Sequence, residues 1–152
     1  MGGSYLTKNC PGTGGSIKMS PEDFLVEEIP LYLPSGEGEH LYLFVEKKGI
    51  TTLALVKRLA RASGLRERDL GYAGLKDARG ITRQWISLPT TTVNPEFLAS
   101  DASVNIISAE KHRNKLRLGH LCGNRFRIRI RETDSEALPH AETILTELEK
   151  KG

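Results

Sequence analysis

The stretch His40 to Lys47, HLYLFVEK, constrains the fold more than any other. Leu41, Leu43 and Val45 fall on one side of a two-residue period, and Tyr42 and Phe44 fall on the other. Apolar residues on both sides call for a strand inside a sheet that is covered on both faces. The period then changes. Thr51 or Thr52 caps a helix with Leu53, Val56, Leu59 and Ala60 on one face, and Gly64 stands after its end. Arg58 and Arg61 near its C-terminus suit the helix dipole.

Further elements are short and interspersed. Ile17–Met19 and Phe24–Ile29 read as strands separated by a Ser20–Pro21 turn, and Pro34–Glu39 as a polar loop. A helical turn is expected around Arg66–Leu70. Strands are expected at Arg83–Leu88 and Val104–Ala109, and a short helix at Asn94-Pro95-Glu96. Lys115–Leu118 and Phe126–Arg131 read as two strands joined through Gly119–Asn124. A last helix opens at Asp134-Ser135, or at Pro139, and runs to Glu149. Mixed strands and helices without a repeat give an α+β or mixed α/β class.

Length fits this reading. A chain of 152 residues is one ordinary domain, and 27% charged against 38% apolar residues describes a folded, soluble chain. The net charge of +3 hides its distribution. Every charged residue from Lys111 to Arg131 is Lys or Arg, and every one from Asp134 to Glu149 is acidic. Such asymmetry points to a basic face and a polyanionic partner. Lys111, Arg113, Lys115 and Arg117 share odd positions, as do Arg125, Arg127, Arg129 and Arg131. Each set would lie on one strand face, able to track a phosphate backbone, while Phe126, Ile128 and Ile130 pack into the core. Cys10 and Cys122 are isolated, which suits a reducing compartment. His40, His112, His120 and His140 lack ligand spacing, so no metal is expected. No leader, lipidation pattern or membrane-length apolar run is visible, and the expected location is cytoplasmic.

The stretch richest in chemistry is Gly71 to Ser87, GYAGLKDARGITRQWIS. Ala73 to Leu75 read as the end of a strand, and Thr82, Trp85 and Ile86 as the start of the next. Asp77 lies between, flanked by Lys76 and Arg79, with Gly80 permitting a tight turn. A carboxylate held beside fixed cations stays ionised, which is the state a nucleophile needs. An Asp in such a turn is more often a turn former or a surface ion pair.

The same stretch resembles the signature of the TruD family of RNA pseudouridine synthases. Other blocks match in the family's order. Gly15-Ser16-Ile17-Lys18 with Pro21-Glu22-Asp23-Phe24 and Val26-Glu27-Glu28 is similar to the G-x-I-K…P-E-D-F-x-V-x-E block. GEGEHLYLFVEKKGITT (36–52) is similar to the second block, and LGHLCGNRFRIRI (118–130) to the G-H-L-x-G-N-x-F-x-I block. The resemblance implies a pseudouridine synthase-like catalytic domain, present in part, with a mixed, mainly antiparallel sheet and flanking helices. It implies a tRNA pseudouridine synthase, acting on the position-13 uridine, with Asp77 as the catalytic carboxylate.

By the same resemblance, Lys18 is a cation near that carboxylate, and Phe24 and Asn124 contact the target nucleotide. The Phe126 ring packs against the uracil. Lys115, Arg117, Arg125, Arg127 and Arg129 are the candidate RNA-backbone contacts. No cofactor is implied. Family members are longer, with an inserted domain and a C-terminal portion around N-Y-F-G and Q-R-F-G that this sequence lacks. The chain therefore reads as the N-terminal portion of such a catalytic domain. Self-association or a complementary C-terminal half is expected, and the alternative is a catalytically silent RNA-binding fragment.

Overall fold

The computed structural model describes residues 5–90, 94 and 102–152; the helix expected at Asn94-Pro95-Glu96 falls, beyond Asn94 itself, outside the described residues. The elements run β1 (Gly14–Ser16), a 3-10 turn (Pro21–Asp23), β2 (Phe24–Pro30), β3 (His40–Lys48) and α1 (Thr52–Ser63). A second 3-10 turn (Glu67–Asp69) leads to β4 (Gly71–Tyr72), β5 (Ile81–Leu88), β6 (Val104–His112), β7 (Leu121–Ile128), β8 (Arg131–Thr133) and α2 (Ala137–Lys151). The main sheet has the order β6-β3-β5-β2-β7, with β4 beside β5, while β1 and β8 form a separate pair. Among the described residues only β2 and β5 run parallel; the other pairs are antiparallel. This is an α+β fold with a mixed, mostly antiparallel sheet.

The strand His40–Lys48 lies inside the sheet, between β6 and β5, and both of its faces are covered. Leu41, Leu43 and Val45 pack with Ile86 and Leu88 of β5 against Leu55, Val56, Leu59 and Ala60 of α1. Complete burial of residues such as Leu43, Leu55 and Leu59 stabilises the fold by roughly 1.5–3 kcal/mol each. On the other face Tyr42 and Trp85 form a second cluster with Leu116, joined by Tyr32, Phe44 and Leu121. Helix α1 begins where the sequence placed it: Thr51 Oγ1 accepts from the Ala54 amide at 3.1 Å, and Gly64 ends it at φ +70°.

Several expectations change. Leu53 is exposed and Leu55 takes the core position, because the stripe that fits the sheet is Thr52, Leu55, Val56 and Leu59. Ile17–Met19 is not a strand: β1 ends at Ser16, and Lys18 turns into the left-handed region at φ +59°. Lys115–Leu118 is a connection rather than a strand. Its polar groups are taken up locally, the Leu116 amide by Ser87 Oγ and the Lys115 ammonium by the Arg68 carbonyl.

The strand expected at Phe126–Arg131 instead spans Leu121–Ile128, so Arg129 and Arg131 lie beyond it. Arg131 makes a bidentate pair with buried Asp23, at 2.7 and 2.8 Å. Phe126, Ile128 and Ile130 are not core: they are 56%, 44% and 46% exposed. The reason is topological, because β7 is the edge strand and α1 lies over β3 and β5 at the far side of the sheet. Among the described residues, no helix is long and apolar enough to cross a membrane.

Candidate active site

Register decides which residues share a face. Phe24, Val26 and Glu28 of β2 stand opposite Ile128, Phe126 and Asn124 of β7, and Leu25 and Glu27 stand opposite Arg127 and Arg125. Successive side chains alternate, so Phe24, Asn124 and Phe126 lie on one face and Arg125 and Arg127 on the other. The α1 face of the sheet continues through Thr82, Gln84, Lys47 and Val45. The loop from Gly74 to Gly80 crosses this face and carries Asp77.

Asp77 is held from two sides. Its Oδ2 accepts from the Lys18 ammonium at 2.5 Å, and its Oδ1 from the Arg79 amide at 3.0 Å. The Lys18 bond and then the Arg79 amide hold the carboxyl at about 2, below the ordinary 3.8. The carboxylate keeps 45% of its surface exposed and can meet a ligand. The Lys18 ammonium also sits 4.1 Å above the Phe24 ring, and that ring makes an edge contact with Phe126 at 6.1 Å. Residues separated by over a hundred positions thus form one contiguous array: carboxylate, ammonium and two rings. The left-handed backbone at Lys18 is uncommon for a residue with a side chain, and it is the conformation in which the ammonium reaches Asp77.

The local pattern named Lys76 and Arg79 as the cations beside Asp77, and the family resemblance named Lys18. The structure assigns that place to Lys18. Lys76 turns inward, and its ammonium pairs with Glu28 at 2.9 Å, both side chains being buried. Arg79 contributes its amide to the Asp77 carboxylate.

Other residues beneath the loop were missed. The Gln84 amide donates to the Gly74 carbonyl at 3.2 Å, and Thr52 Oγ1 accepts from the Lys76 amide at 2.8 Å while donating to Gln84 Oε1 at 2.9 Å. The Lys47 ammonium donates to the Asp77 carbonyl at 2.9 Å. A signal was present in the sequence: Glu28, Lys47 and Gln84 each interrupt an apolar strand face at the period that should be core.

Gly80 explains the tight turn. Its φ is +149°, and a Cβ there would lie 2.5 Å from the Phe24 carbonyl oxygen. Gly80→Ala should therefore cost about 1–3 kcal/mol and push the loop off β2. A Tm unchanged from that of the parent protein would show that the backbone absorbs the methyl group.

A second prediction concerns acid. The Asp23 carboxyl is also held at about 2, chiefly by the Arg131 guanidinium. Both carboxyls sit below the unfolded value of 3.8, so between these values the unfolded chain binds more protons. Their stabilisation is complete above about pH 5 and is lost as pH falls through 3.8 and then 2. Asp23→Asn should flatten thermal stability across that window, and an unaltered slope would rule the pair out.

The candidate backbone cations are divided by the sheet. Lys115 and Arg117 line a groove of about 550 Å³ with Leu53 and Tyr72, on the α1 side. Arg125 and Arg127 line a smaller hollow of about 160 Å³ on the other face, beside Glu27 and Arg83. Arg125 and Arg83 are both paired with Glu27 there. Arg129 follows the end of β7, and its amide donates to the Asp23 carbonyl at 2.7 Å. Among the described residues, no cluster of His, Cys, Asp and Glu could hold a metal ion.

Comparison with known proteins agrees with the sequence resemblance. The family model for tRNA pseudouridine synthase D (TruD) matches residues 1–152. The chain is 59% identical to a Geobacter metallireducens protein named tRNA pseudouridine synthase D over 148 residues, covering 97% of this chain and 37% of that protein. It is 48% identical to the Thermus thermophilus protein of the same name over 149 residues, covering 97% of this chain and 42% of that one. The crystal structure of the putative tRNA pseudouridine synthase D from Methanosarcina mazei superposes with a TM-score of 0.77 at 28% identity, over 95% of this chain and 33% of that one. The chain spans about two fifths of the length of these curated relatives. It belongs to the tRNA pseudouridine synthase D (TruD) family.

Proposed function

We propose that this chain carries the working carboxylate of a tRNA pseudouridine synthase, and that the carboxylate is Asp77. The observation that carries the proposal is the array at Asp77: an ionised, half-exposed carboxylate bonded to Lys18, which also caps the Phe24 ring beside Phe126. The reaction breaks the bond from uracil N1 to ribose C1′, turns the ring, and joins C5 to C1′. N1 gains the proton that C5 loses, so the atoms balance without a redox partner, and no cofactor is called for. Asp77 is suited either to attack carbon or to take the C5 proton. The exposed Phe126 ring offers a flat apolar surface for the detached uracil, and Asn124 on the same face offers an amide to its polar edge. Phe24 backs the Phe126 ring and holds Lys18 in place. Extrusion of the base costs a few kcal/mol, and cationic contacts to the RNA backbone offset it.

The position-13 uridine of tRNA is the proposed target, and the cytoplasm the proposed location. Lys115 and Arg117 are the proposed backbone contacts on the α1 side of the sheet, where they line a groove with Leu53 and Tyr72. Arg125 and Arg127 would meet RNA on the other face of the sheet, and Arg129 would meet it beside Asp23. Replacing Lys115 and Arg117 together by Gln should reduce the salt dependence of RNA binding by about 1.4–1.8 units of slope. Gln at Arg125 and Arg127 should change it less, and the reverse ranking would move the RNA to the other face.

The test uses unmodified tRNA tritiated at uridine C5, under single-turnover conditions. Tritium release by this polypeptide, matched by pseudouridine in the digest, supports the proposal. Salt-sensitive RNA binding without release, even with the C-terminal remainder of a TruD protein added, would replace it with a silent RNA-binding module.

A further inference from the structure

Lys47 belongs to the apolar face of β3, in line with Leu41, Leu43 and Val45, and is only 1% exposed. An ammonium at such a position costs free energy that an apolar residue of similar volume would not. Packing alone does not account for it. Among the described residues no carboxylate forms a salt bridge with it. Instead it donates to carbonyl oxygens, at 2.6 Å to Ile50 and 2.9 Å to Asp77, with Lys76 at 3.5 Å. Two of those carbonyls belong to the residues that form the Asp77 turn, and the third to the entry of α1.

Resting on the reading of Asp77 as the working carboxylate, we propose that Lys47 is its positioning residue: the buried ammonium ties the Asp77 backbone to β3 and so fixes where the carboxylate meets Lys18. The geometry gives it leverage. The Lys76 amide is fixed by Thr52 and the Gly74 carbonyl by Gln84, so the loop is tied at its start by α1 and β5. Beyond Lys76, the Asp77 carbonyl depends on Lys47. The carboxylate itself is held by Lys18, whose backbone is in an uncommon conformation, and by an amide within the same turn. Without Lys47, those bonds would have to position the loop as well as the carboxylate.

Burial lowers the Lys47 ammonium to about 8, the negative charge of Asp77 opposes that fall, and Lys76 adds to it. The coupling is reciprocal, so the Lys47 charge also favours an ionised Asp77.

The test needs neither RNA nor turnover, so it can fail while the functional reading stands. In Lys47→Met, the amides of Arg79 and Gly80 should exchange with solvent about tenfold faster, while those of Val45 and Ile86 stay within about twofold. Equal acceleration in loop and core would mean that Lys47 only supports the fold, and no acceleration would mean that it does not hold the loop. If Lys47→Met fails to fold, the unaltered protein decides. The carbon resonance of the Asp77 carbonyl, followed by carbon-detected spectra, should shift with an inflection near pH 8, and a flat response would overturn the proposal. Failure of Asp77→Asn to slow uridine conversion, with both readouts as expected, would remove the functional reading and leave the tether.

Discussion

Asp77→Asn is expected to slow uridine conversion by at least about a thousandfold while RNA affinity stays within a factor of two. The substitution keeps the shape of the site. An Asn oxygen can still accept from the Arg79 amide, so the turn survives. The charge is lost, and with it the ability to attack carbon or to remove a proton. The Lys18 ammonium loses its ionic partner, but that pair is partly exposed and should contribute no more than about 1 kcal/mol to stability. Affinity should hold or rise slightly, since a negative charge facing a polyanion disappears. Single-turnover tritium release and a binding titration on the same RNA measure the two effects separately. Equal loss of both would mean that Asp77 holds RNA rather than transforms it.

The largest loss of stability should come from Glu28→Ala. Glu28 pairs with Lys76 where the two side chains are 1% and 5% exposed, and its second oxygen accepts from the Trp85 amide at 3.3 Å. Removing the carboxylate leaves a buried ammonium without compensation, which costs about 3–5 kcal/mol. For a domain of this size that lowers Tm by on the order of 10 °C. Changing both partners, as Glu28→Leu with Lys76→Met, should recover most of the loss, because two matched apolar side chains leave no buried charge. The Trp85 amide remains without its acceptor, at about 1–3 kcal/mol, so recovery should be incomplete. A double variant no more stable than Glu28→Ala would show that the pair does more than neutralise itself.

These two sites divide the molecule as the sequence does. Asp77 was singled out along the chain by a Gly turn and flanking cations, and by the block it shares with the family; its role is the proposal above. The interior strand β3 and the capped helix were legible because their periods and cap residues are local. The class of fold and the family followed from such blocks, each read in order along the chain.

Tertiary structure decided what local pattern could not. The register between β2 and β7 sets Phe24 and Phe126 together on the Asp77 side and turns Arg125 and Arg127 away, although all four alternate in ways the sequence displays. Sheet order left the apolar face of Phe126 and Ile128 uncovered, because a two-residue period shows that residues share a face but not what lies over it. The partner of each buried charge was decided the same way. Lys76 sits beside Asp77 in the chain yet pairs with Glu28, while Lys18, fifty-nine positions away, reaches the carboxylate. A charge takes its partner in space, where burial and geometry set the energy, and sequence neighbourhood fixes neither.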